Sequence, residues 1–401
     1  MGDGGLSRFK LESFISLCDY ACQLMHETLR DSGGSMIRQE SREALTTVEP
    51  KITAIMPAYN CRALLSRSLP PLLRMQRQGE IYEVIVVDDG STDGTAETAG
   101  SLGARVILSE QRRGPAHARN HGACESRGEI LWFIDADVVA RSNAARHIRD
   151  ALRNDHAAVI GSYDDSPAAH NFFSQYKNLV HHHYHQKIRG DVSSFWAGCG
   201  AVWKQRFQDV GGFDAVRYPR SSIEDIELGY RLNAAGGRIR HVPDLQATHL
   251  KVWTFRKLLV SEIRDRAIPW AILLLTQEGR IFNELNVSVT ERFRALIAWM
   301  LLFTVMTSLV GVLPWWSLAV VISAALMANR DLFALFQRRN GLLFALGATH
   351  FHQFYYLYST AAYCWCWIIM RIRRFLPKLP SSNGNLSRLT RSGISTSIDQ
   401  V

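Results

Sequence analysis

The chain of 401 residues has few cysteines, and their spacing argues against a disulfide framework and against a structural zinc site. Its seven cysteines contain no C-x-x-C pair and no zinc-like spacing, as expected of reduced thiols in a cytoplasmic protein. The first ten residues, "MGDGGLSRFK", also lack the long apolar stretch of a secretory signal peptide, and Leu6 stands where a myristoylation signal has Ser or Thr. We therefore expect the folded part of the chain to stay in the cytoplasm.

Acidic residues are scarce toward the C-terminus. From Arg330 onward the chain has nine Lys or Arg residues against Asp331 and Asp399, so this stretch contributes 9 − 2 = +7 to a formal net charge of +9. A basic excess suits either nucleic acid or an anionic membrane surface. Because most of this excess flanks apolar segments, it favours lipid head groups, and we expect membrane lipids rather than nucleic acid as partners.

Two long stretches have no charged residue. The first, Ala295–Asn329, has Pro314-Trp315-Trp316 near its middle and predicts a hairpin of two short membrane-spanning helices with an interfacial turn. The second, Gly341–Met370, predicts one span or a re-entrant segment plus a span. The alternative is the buried helical core of a soluble protein. We expect about two to four helices across residues 294–371, and a multi-pass protein of the inner or plasma membrane.

The remaining segments outside the central part differ in composition. Residues 1–48 predict an amphipathic helix and a linker, with Met36 as a second candidate start. Residues 253–293 mix Arg and Lys with Trp, Phe and Leu, which fits either amphipathic helices lying in the membrane surface or an ordinary docking helix. Residues 372–401 read as a basic, disordered tail.

The central residues 49–252 alternate short apolar strands with helical segments. The strands are "ITAIM", "YEVIVV", "RVIL" and "ILWFI", with helices between them from about Arg62, after Asp93 and from Pro115. Continuous apolar strands separated by helices are typical of a parallel sheet covered on both faces. We predict an α/β domain with a Rossmann-like, doubly wound and mostly parallel sheet.

Polar clusters follow three of these strands. "PAYN", "DDGSTDGT" and "DAD" all fall at strand ends, where ligands bind in sheets of this kind. In "VVDDGSTDGT" the acceptor-only carboxylates suit a ligand with N–H donors or hydroxyls, such as a nucleobase or its ribose. Capping of the next helix by Ser91, Thr92 or Asp93 is the structural alternative.

The D-x-D in "WFIDADVV" offers two carboxylates one residue apart. One of Asp135 and Asp137 can face a sugar while the other holds a divalent cation, and hard carboxylate oxygens suit Mg²⁺ or Mn²⁺ bridged to substrate phosphates. In "RSSIEDIELGYRLNAAGGRI", Glu224 and Asp225 open a helix. They either stabilise its N-terminus or supply a general base that is ionised at neutral pH.

Six motifs in this order resemble the family 2 glycosyltransferases, which are inverting enzymes with the A-type nucleotide-sugar fold (GT-A fold). They are "IMPAYN", "VVDDGSTDGT", "RRGPAHARNHG", "GEILWFIDADVV", "FWAGCGAVWKQRFQDVGGFDA" and "IEDIELGYRLNAAGGRI", over about residues 51 to 250. The resemblance implies a membrane-associated, metal-dependent enzyme that moves a sugar from a UDP- or GDP-sugar to a lipid-linked or other membrane-proximal glycan acceptor. A non-catalytic nucleotide-sugar-binding membrane protein is the alternative.

The resemblance also implies roles for individual residues. Asp225 is expected to be the catalytic base, with Glu224 positioning the acceptor, and Asp137 with His249 to hold the metal. The donor is expected to contact Pro57, Ala58, Tyr59, Asn60, Asp88, Asp89, Arg113, Arg119, Asp135 and Ala136, with Asp89 accepting from the base. A loop with Trp196, Gly198 and Cys199 is expected to frame donor sugar and acceptor. The Q-x-x-R-W pattern of processive polysaccharide synthases is absent, since "IRDRAIPW" offers only Arg266 and Trp270.

The run "HHHYH", residues His181 to His185, resembles a metal site at first sight. Adjacent histidines point in different directions on any regular element, so no ordered ligand set follows. We predict a polar surface near the membrane or the acceptor.

Overall fold

The computed structural model describes residues 49–188, 190–276 and 288–375, with the backbone alone for residues 373–375. The predicted N-terminal helix and linker lie outside these residues, as do residues 277–287 and the tail beyond residue 375.

Within the described residues, nine strands form one sheet. Its order is β3-β2-β1-β4-β8-β6-β9-β5, and β7 pairs with β9. The strands are β1 (Ile52–Ala58), β2 (Glu83–Asp88), β3 (Arg105–Leu108), β4 (Ile130–Ile134), β5 (Val138–Ala140), β6 (Ala158–Tyr163), β7 (Gly190–Val192), β8 (Cys199–Trp203) and β9 (Ile239–His249).

The helices alternate with the strands and then follow them. They are α1 (Arg62–Arg77), α2 (Thr95–Leu102), α3 (Pro115–Glu125), α4 (Ala144–Leu152), α5 (Phe172–Lys187), α6 (Lys204–Asp209), α7 (Glu224–Ala234), α8 (Phe255–Val260), α9 (Ile268–Thr276), α10 (Val289–Leu309), α11 (Trp316–Ala328) and α12 (Arg330–Phe375). A π-helical segment, Ser261–Ala267, joins α8 to α9. Gly341, at φ 82°, breaks α12.

Three of the four strands that were predicted from apolar runs, β1, β2 and β4, are the buried centre of the sheet, whereas β3 is a partly buried edge strand. All residues of β2 and β4 are buried, as expected when helices cover both faces. Strands β1, β2 and β4 run parallel, with Ala58 opposite Asp88 and Ile55 opposite Phe133. Their carboxyl ends therefore meet at one edge, and the polar clusters that follow them face a common crevice.

The prediction of a mostly parallel sheet is wrong beyond β4. Strand β8 runs antiparallel to both β4 and β6, and β5 and β7 run antiparallel to β9; only the β6–β9 pair is parallel there. The sheet is mixed because antiparallel neighbours need no helical crossover. After β4, strands and helices alternate only as far as β7, and β8 follows β7 with no helix between them.

Helices cover both faces of the sheet, as predicted. One face packs leucines of α1, such as Leu65 and Leu69, and Ile148 of α4 against the strands. The opposite face packs small residues of α3 and Leu228 of α7. This arrangement holds the first turns of α3 and α7 beside the carboxyl ends of the central strands.

The C-terminal helices pack on α5 and on each other. Tyr176 and Leu179 of α5 share an apolar cluster with Phe336 and Ala348 of α12. A buried polar network adds to this contact: the hydroxyls of Tyr184 and Tyr356 each donate to Glu291 Oε2 at 2.7 Å. Helix α10 and the last helix are thereby joined to a helix of the sheet domain.

One helix of the described part, α10, is long and apolar enough to cross a membrane. Helices α11 and α12 meet that test only together, as a pair bent by 78°. Residues 310–315, with Pro314 and Trp315, connect α10 to α11, so the first uncharged stretch is a helix–turn–helix. In the described part of the predicted segment 253–293, Leu273 and Trp270 pack against Ile223 and Tyr230. This contact fits the alternative of an ordinary docking helix.

Candidate functional site

The crevice has two sides. The β1–β2 side consists of residues 57–62, 88–95 and 111–114. The β4–β9 side consists of residues 135–137, 196–199, 222–225 and 249.

On the β1–β2 side the two strand-end loops are tied together. The backbone N–H of Asn60 donates to Ser91 Oγ at 2.9 Å, and Asn60 Oδ1 accepts from the backbone N–H of Thr92 at 2.9 Å. Asp93 Oδ2 accepts from the backbone N–H of Arg62 at 3.1 Å. Asn60 adopts φ 47°, a left-handed conformation that asparagine tolerates. The polar residues of this loop thus hold the chain after β1, and Gly94 takes the N-cap position of α2.

The two adjacent aspartates after β2 have different environments. Asp89 accepts from the backbone N–H groups of Arg113 at 2.8 Å and Gly114 at 2.7 Å, so both of its oxygens hold the loop before α3. Asp88 Oδ1 accepts from the backbone N–H of Ser91 at 2.7 Å. Asp88 Oδ2 is buried and has no hydrogen-bond partner within the described residues. Asp88 therefore has the free acceptor on this side of the crevice.

The loop before α3 approaches the β2 end closely. A Cβ on Gly90, which has φ 77°, would lie 2.9 Å from the backbone nitrogen of Arg112, so only glycine fits. The Arg112 guanidinium lies 4.0 Å from the ring centroid of Tyr59, a side chain that is 38% exposed. Arg113, the residue predicted to help bind the nucleotide, instead directs its side chain to His117 Nε2 at 3.1 Å.

Three of the predicted contact positions at the strand ends have little exposed surface. Ala58 and Ala136 are buried, and Ala136 belongs to the core cluster with β4, while Pro57 is half-buried. These residues shape the floor of the crevice through their backbone rather than their side chains.

Arg119 links two carboxylates that are far apart in the sequence. Its Nη2 donates to Asp135 Oδ1 at 2.7 Å, and its Nη1 donates to Glu224 Oε1 at 3.0 Å. Burial alone would lower the pKa of Arg119, but the negative charges of Asp135, Glu224 and Asp225 raise it well above its usual range. Glu224 Oε2 also accepts from the backbone N–H of Ser222 at 2.7 Å. Both oxygens of Glu224 thus hold the site together.

Asp225 is the least compensated carboxylate of the β4–β9 side. It lies in the first turn of α7, where Oδ2 accepts from the backbone N–H of Ala197 at 3.1 Å and Oδ1 from that of Ile226 at 2.8 Å. Burial and the neighbouring charge of Glu224 raise the pKa of Asp225 to about 6, against the opposing effect of Arg119. A carboxylate with a pKa near 6 is a suitable proton acceptor at neutral pH.

Asp137 and His249 lie together because β5 pairs with the end of β9. Asp137 Oδ2 is 3.6 Å from His249 Nε2, and Val138 is opposite His249 in the ladder. Burial raises the pKa of Asp137, but His249 and the charge of Lys251 outweigh it and keep the carboxylate ionised. The described residues contain no group of three or more His, Cys, Asp or Glu side chains placed to hold a metal. A two-residue set fits an ion that keeps several waters or phosphate oxygens, as Mg²⁺ does.

The loop before β8 meets the prediction only in part. Trp196 is half-buried and lies against Tyr163 at 4.8 Å between ring centroids. Gly198 is necessary there, because a Cβ would lie 2.6 Å from the Trp196 ring. Cys199 has its side chain in the core rather than in the crevice. It is the first residue of β8, fully buried in the core, and burial raises the pKa of its thiol to about 12.

The prediction that the histidine run forms a polar surface is also wrong. His183 and His185 are buried in α5, because that helix is covered by β6 on one side and by α12 on the other. The rings of His181 and His185 stack at 3.9 Å, and His185 Nδ1 lies 3.0 Å from the carbonyl oxygen of Gly161. Burial lowers the pKa of His185 to about 3, so it is neutral and structural.

Tyr163 was missed by the sequence analysis. Its ring stacks on His249 at 4.3 Å between centroids, and so fixes the orientation of that imidazole. A signal was present, because the strand "AVIGSY" is apolar, buried and followed by two aspartates, the same pattern as at the end of β2. Arg119 was predicted to lie near the diphosphate, and its bridging of Asp135 and Glu224 was not foreseen.

Curated relatives match part of the chain. Validoxylamine A glucosyltransferase from Streptomyces hygroscopicus subsp. limoneus is 30% identical over 225 residues, which are 48% of this chain and 49% of that protein. The uncharacterized glycosyltransferase YfnE of Bacillus subtilis is 36% identical over 118 residues, covering 28% of this chain and 30% of its own length. The chain thus spans about half the length, or less, of these relatives.

A solved structure extends the likeness in fold. The mannosyltransferase PcManGT from Pyrobaculum calidifontis, solved in complex with GDP-Man and Mn²⁺, matches 80% of this chain and 88% of its own, with a TM-score of 0.51 and 21% identity. This similarity shows a GT-A-like α/β fold. Residues 53–211 match the model of Glycosyl transferase family 2. Over these residues the chain is therefore similar to the family 2 glycosyltransferases.

Proposed function

We propose that the chain is a membrane-associated, inverting glycosyltransferase that moves a sugar from a UDP- or GDP-sugar to a lipid-linked or other membrane-proximal glycan acceptor. The observation that carries this proposal is the buried Asp225 carboxylate, with a pKa raised to about 6, beside the Arg119 bridge to Asp135. A protein that only binds nucleotide sugars has no need of such a base. The GDP-Man and Mn²⁺ bound to PcManGT support a nucleotide-sugar donor and a divalent metal.

The β1–β2 side is the proposed nucleotide site. Asp88 Oδ2 is a buried acceptor without a partner within the described residues, and such a group is costly unless a ligand donates to it. We assign contact with an N–H of the base to Asp88, while Asp89 holds the loop that carries Arg112 and Arg113. The exposed Tyr59 ring, with Arg112 over it, is the proposed wall against which the base packs.

Asp137 and His249 are the proposed ligands of Mg²⁺ or Mn²⁺. Their atoms are close enough to share one ion, and the ionised state of Asp137 suits that role. A divalent ion bound there would offset negative charge on the diphosphate of the donor. Asp135, held by Arg119, is then free to face the ribose or the donor sugar with its second oxygen.

Asp225 is the proposed general base. Its Oδ2 takes the proton of the acceptor hydroxyl as that oxygen bonds to the anomeric carbon, on the face opposite the nucleotide. The bond from this carbon to the diphosphate oxygen breaks, and the electron pair leaves with the diphosphate. Because one displacement occurs, the configuration inverts. Glu224 and Arg119 position the base, since both are held by hydrogen bonds within the site and have little exposed surface.

Membrane association is proposed from the C-terminal helices. Helix α10 has 21 residues and so a length of about 30 Å, the thickness of a hydrocarbon core. Many of its apolar side chains are exposed in the structure: Phe293, Leu296, Trp299, Met300, Phe303, Met306 and Leu309. A face of this size on a single chain is typical of contact with lipid or another protein.

The test compares Asp225→Asn with the wild type, using donor turnover and nucleotide binding. The variant keeps the shape of the side chain but cannot take a proton, so we expect transfer to fall by about 10² to 10⁴. UDP or GDP affinity with Mn²⁺ should stay within about threefold, since Asp225 does not contact the proposed nucleotide site. Asp209→Asn, on the exposed end of α6, is the matched control. Unchanged turnover in Asp225→Asn would remove the base from the mechanism.

A further inference from the structure

One aromatic ring lies between the metal pair, Asp137 and His249, and the loop before β8. The ring of Tyr163 stacks on that of His249 at 4.3 Å between centroids, with 14° between the ring planes. A second, T-shaped contact joins Tyr163 to Trp196 at 4.8 Å and 85°. Because only 8% of Tyr163 is exposed, close packing leaves its ring little room to move independently of these two neighbours.

The remaining contacts of Tyr163 fix its position in the sheet. Its backbone carbonyl oxygen lies 2.8 Å from His182 Nδ1 of α5, and it is opposite Ala247 of β9. The ring of His181 lies 4.5 Å from that of Tyr163 and 4.8 Å from that of Trp196, so these three rings contact one another. The histidine run of α5 thereby supports the aromatic cluster from behind.

The loop that carries Trp196 is bonded to two carboxylate residues of the β4–β9 side. The backbone N–H of Ala197 donates to Asp225 Oδ2 at 3.1 Å. The carbonyl oxygen of Gly198 accepts from the backbone N–H of Asp135 at 3.5 Å. A shift of the Trp196 ring would therefore displace the peptide group that holds the Asp225 carboxylate.

We propose that Tyr163 is a positioning residue that couples ion binding by the metal pair to the orientation of Asp225, through the Trp196 ring. This inference rests on the proposed function, because it concerns the metal ligands and the base proposed there. The imidazole of His249 is fixed when both members of the pair bind one ion. The stacked contact then restricts Tyr163, and the T-shaped contact restricts Trp196. Because coupling is reciprocal, a substitution at Trp196 should change the affinity for the ion.

The test titrates the full chain with Mn²⁺, in neutral detergent with UDP or GDP present, and follows the ion by electron paramagnetic resonance. Tyr163→Leu loses the ring, so Mn²⁺ affinity should fall about tenfold, whereas Tyr163→Phe keeps the ring and should stay within about twofold. Trp196→Leu should lower the affinity roughly fivefold. The double variant Tyr163→Leu/Trp196→Leu should lose no more than Tyr163→Leu alone, because both changes break the same set of contacts.

Tyr176→Leu is the matched control. It removes another buried tyrosine ring, from the apolar cluster between α5 and α12. This variant should lower the thermal stability and leave Mn²⁺ affinity unchanged. An equal fall of Mn²⁺ affinity in Tyr176→Leu and Tyr163→Leu would mean that general loss of packing causes the effect, and would overturn the proposal.

Two further results would contradict the coupling. One is an unchanged Mn²⁺ affinity in Trp196→Leu, and the other is a double variant in which the two single losses multiply. Absence of Mn²⁺ binding by the wild type would remove the metal pair and this inference with it. Donor turnover with water as acceptor is measured separately. Its absence in the wild type would remove the proposed transfer reaction, while the Mn²⁺ titrations still report whether the rings are coupled.

Discussion

On the β1–β2 side of the crevice, Asp89 accepts only from backbone N–H groups, whereas on the β4–β9 side Asp135 and Glu224 are both held by the Arg119 side chain. The first arrangement fixes loops and leaves one acceptor, on Asp88, for a ligand. The second concentrates charge around Asp225, where burial and the charge of Glu224 raise the pKa of that carboxyl against the opposing effect of Arg119. The carboxylates of the two sides therefore have different roles. Substitutions on the β1–β2 side should test how carboxylates hold the loops, and substitutions on the β4–β9 side should test how neighbouring charges act on Asp225.

The largest effect is expected at Arg119. Arg119→Met leaves the buried Glu224 carboxylate and the partly exposed Asp135 without their cation, so unfolding free energy should fall by about 3–5 kcal/mol. Arg146→Met removes the exposed pair with Asp150 and should cost less than about 1 kcal/mol. Urea unfolding of both variants measures the contrast. Equal losses would show that burial of the Arg119 bridge is energetically unimportant.

The pH dependence of transfer tests the charge on the β4–β9 side. Because the pKa of Asp225 is raised to about 6, the base is protonated below that pH and ionised above it. We expect kcat/KM to rise about tenfold per pH unit up to pH 6 and then to level off. The profile between pH 4.5 and 8 is the measurement. A profile that stays nearly flat over this range would mean that the carboxylate titrates as an ordinary exposed aspartate.

The adjacent aspartates give the sharpest comparison on the β1–β2 side. Asp89→Asn loses one acceptor for two backbone N–H groups and should destabilise the fold by about 1–3 kcal/mol. Asp88→Asn can keep its bond to Ser91, so stability should change by less than about 1 kcal/mol while nucleotide affinity falls about tenfold. Unfolding and nucleotide titration of both variants separate the two effects. If Asp89→Asn lowered nucleotide affinity and Asp88→Asn lowered stability instead, Asp89 would be the residue that binds the base.

The local sequence predicted those parts of the fold and site that depend on neighbouring residues. The apolar runs of β1, β2 and β4 specified buried parallel strands, and their polar ends fall at one edge as expected. Glu224 and Asp225 open a helix, as their pattern indicated.

Features that depend on distant contacts were not predictable in the same way. Arg119 and Glu224 are 105 residues apart, and no local pattern says that one guanidinium bridges two motifs. His183 and His185 of α5 are buried because β6 packs on one side of that helix and α12, more than 140 residues later, packs on the other. The antiparallel position of β8 likewise depends on the path of the chain between β6 and β8, for which the sequence has no periodic signal.

The smallest effect is expected at His249, whose position beside Asp137 on the β4–β9 side is set by its contacts. The imidazole stacks on Tyr163 and lies 3.6 Å from Asp137 Oδ2. His249→Gln keeps a polar side chain but loses the ring nitrogen, so half-saturation by Mn²⁺ should rise about tenfold, with little change in rate at saturating metal. Titration of EDTA-treated protein with Mn²⁺ measures it. An unchanged Mn²⁺ curve would leave Asp137 as the metal ligand and show that His249 only packs against Tyr163. The difference in charge between the two sides of the crevice would then depend on Arg119 and Asp225 alone.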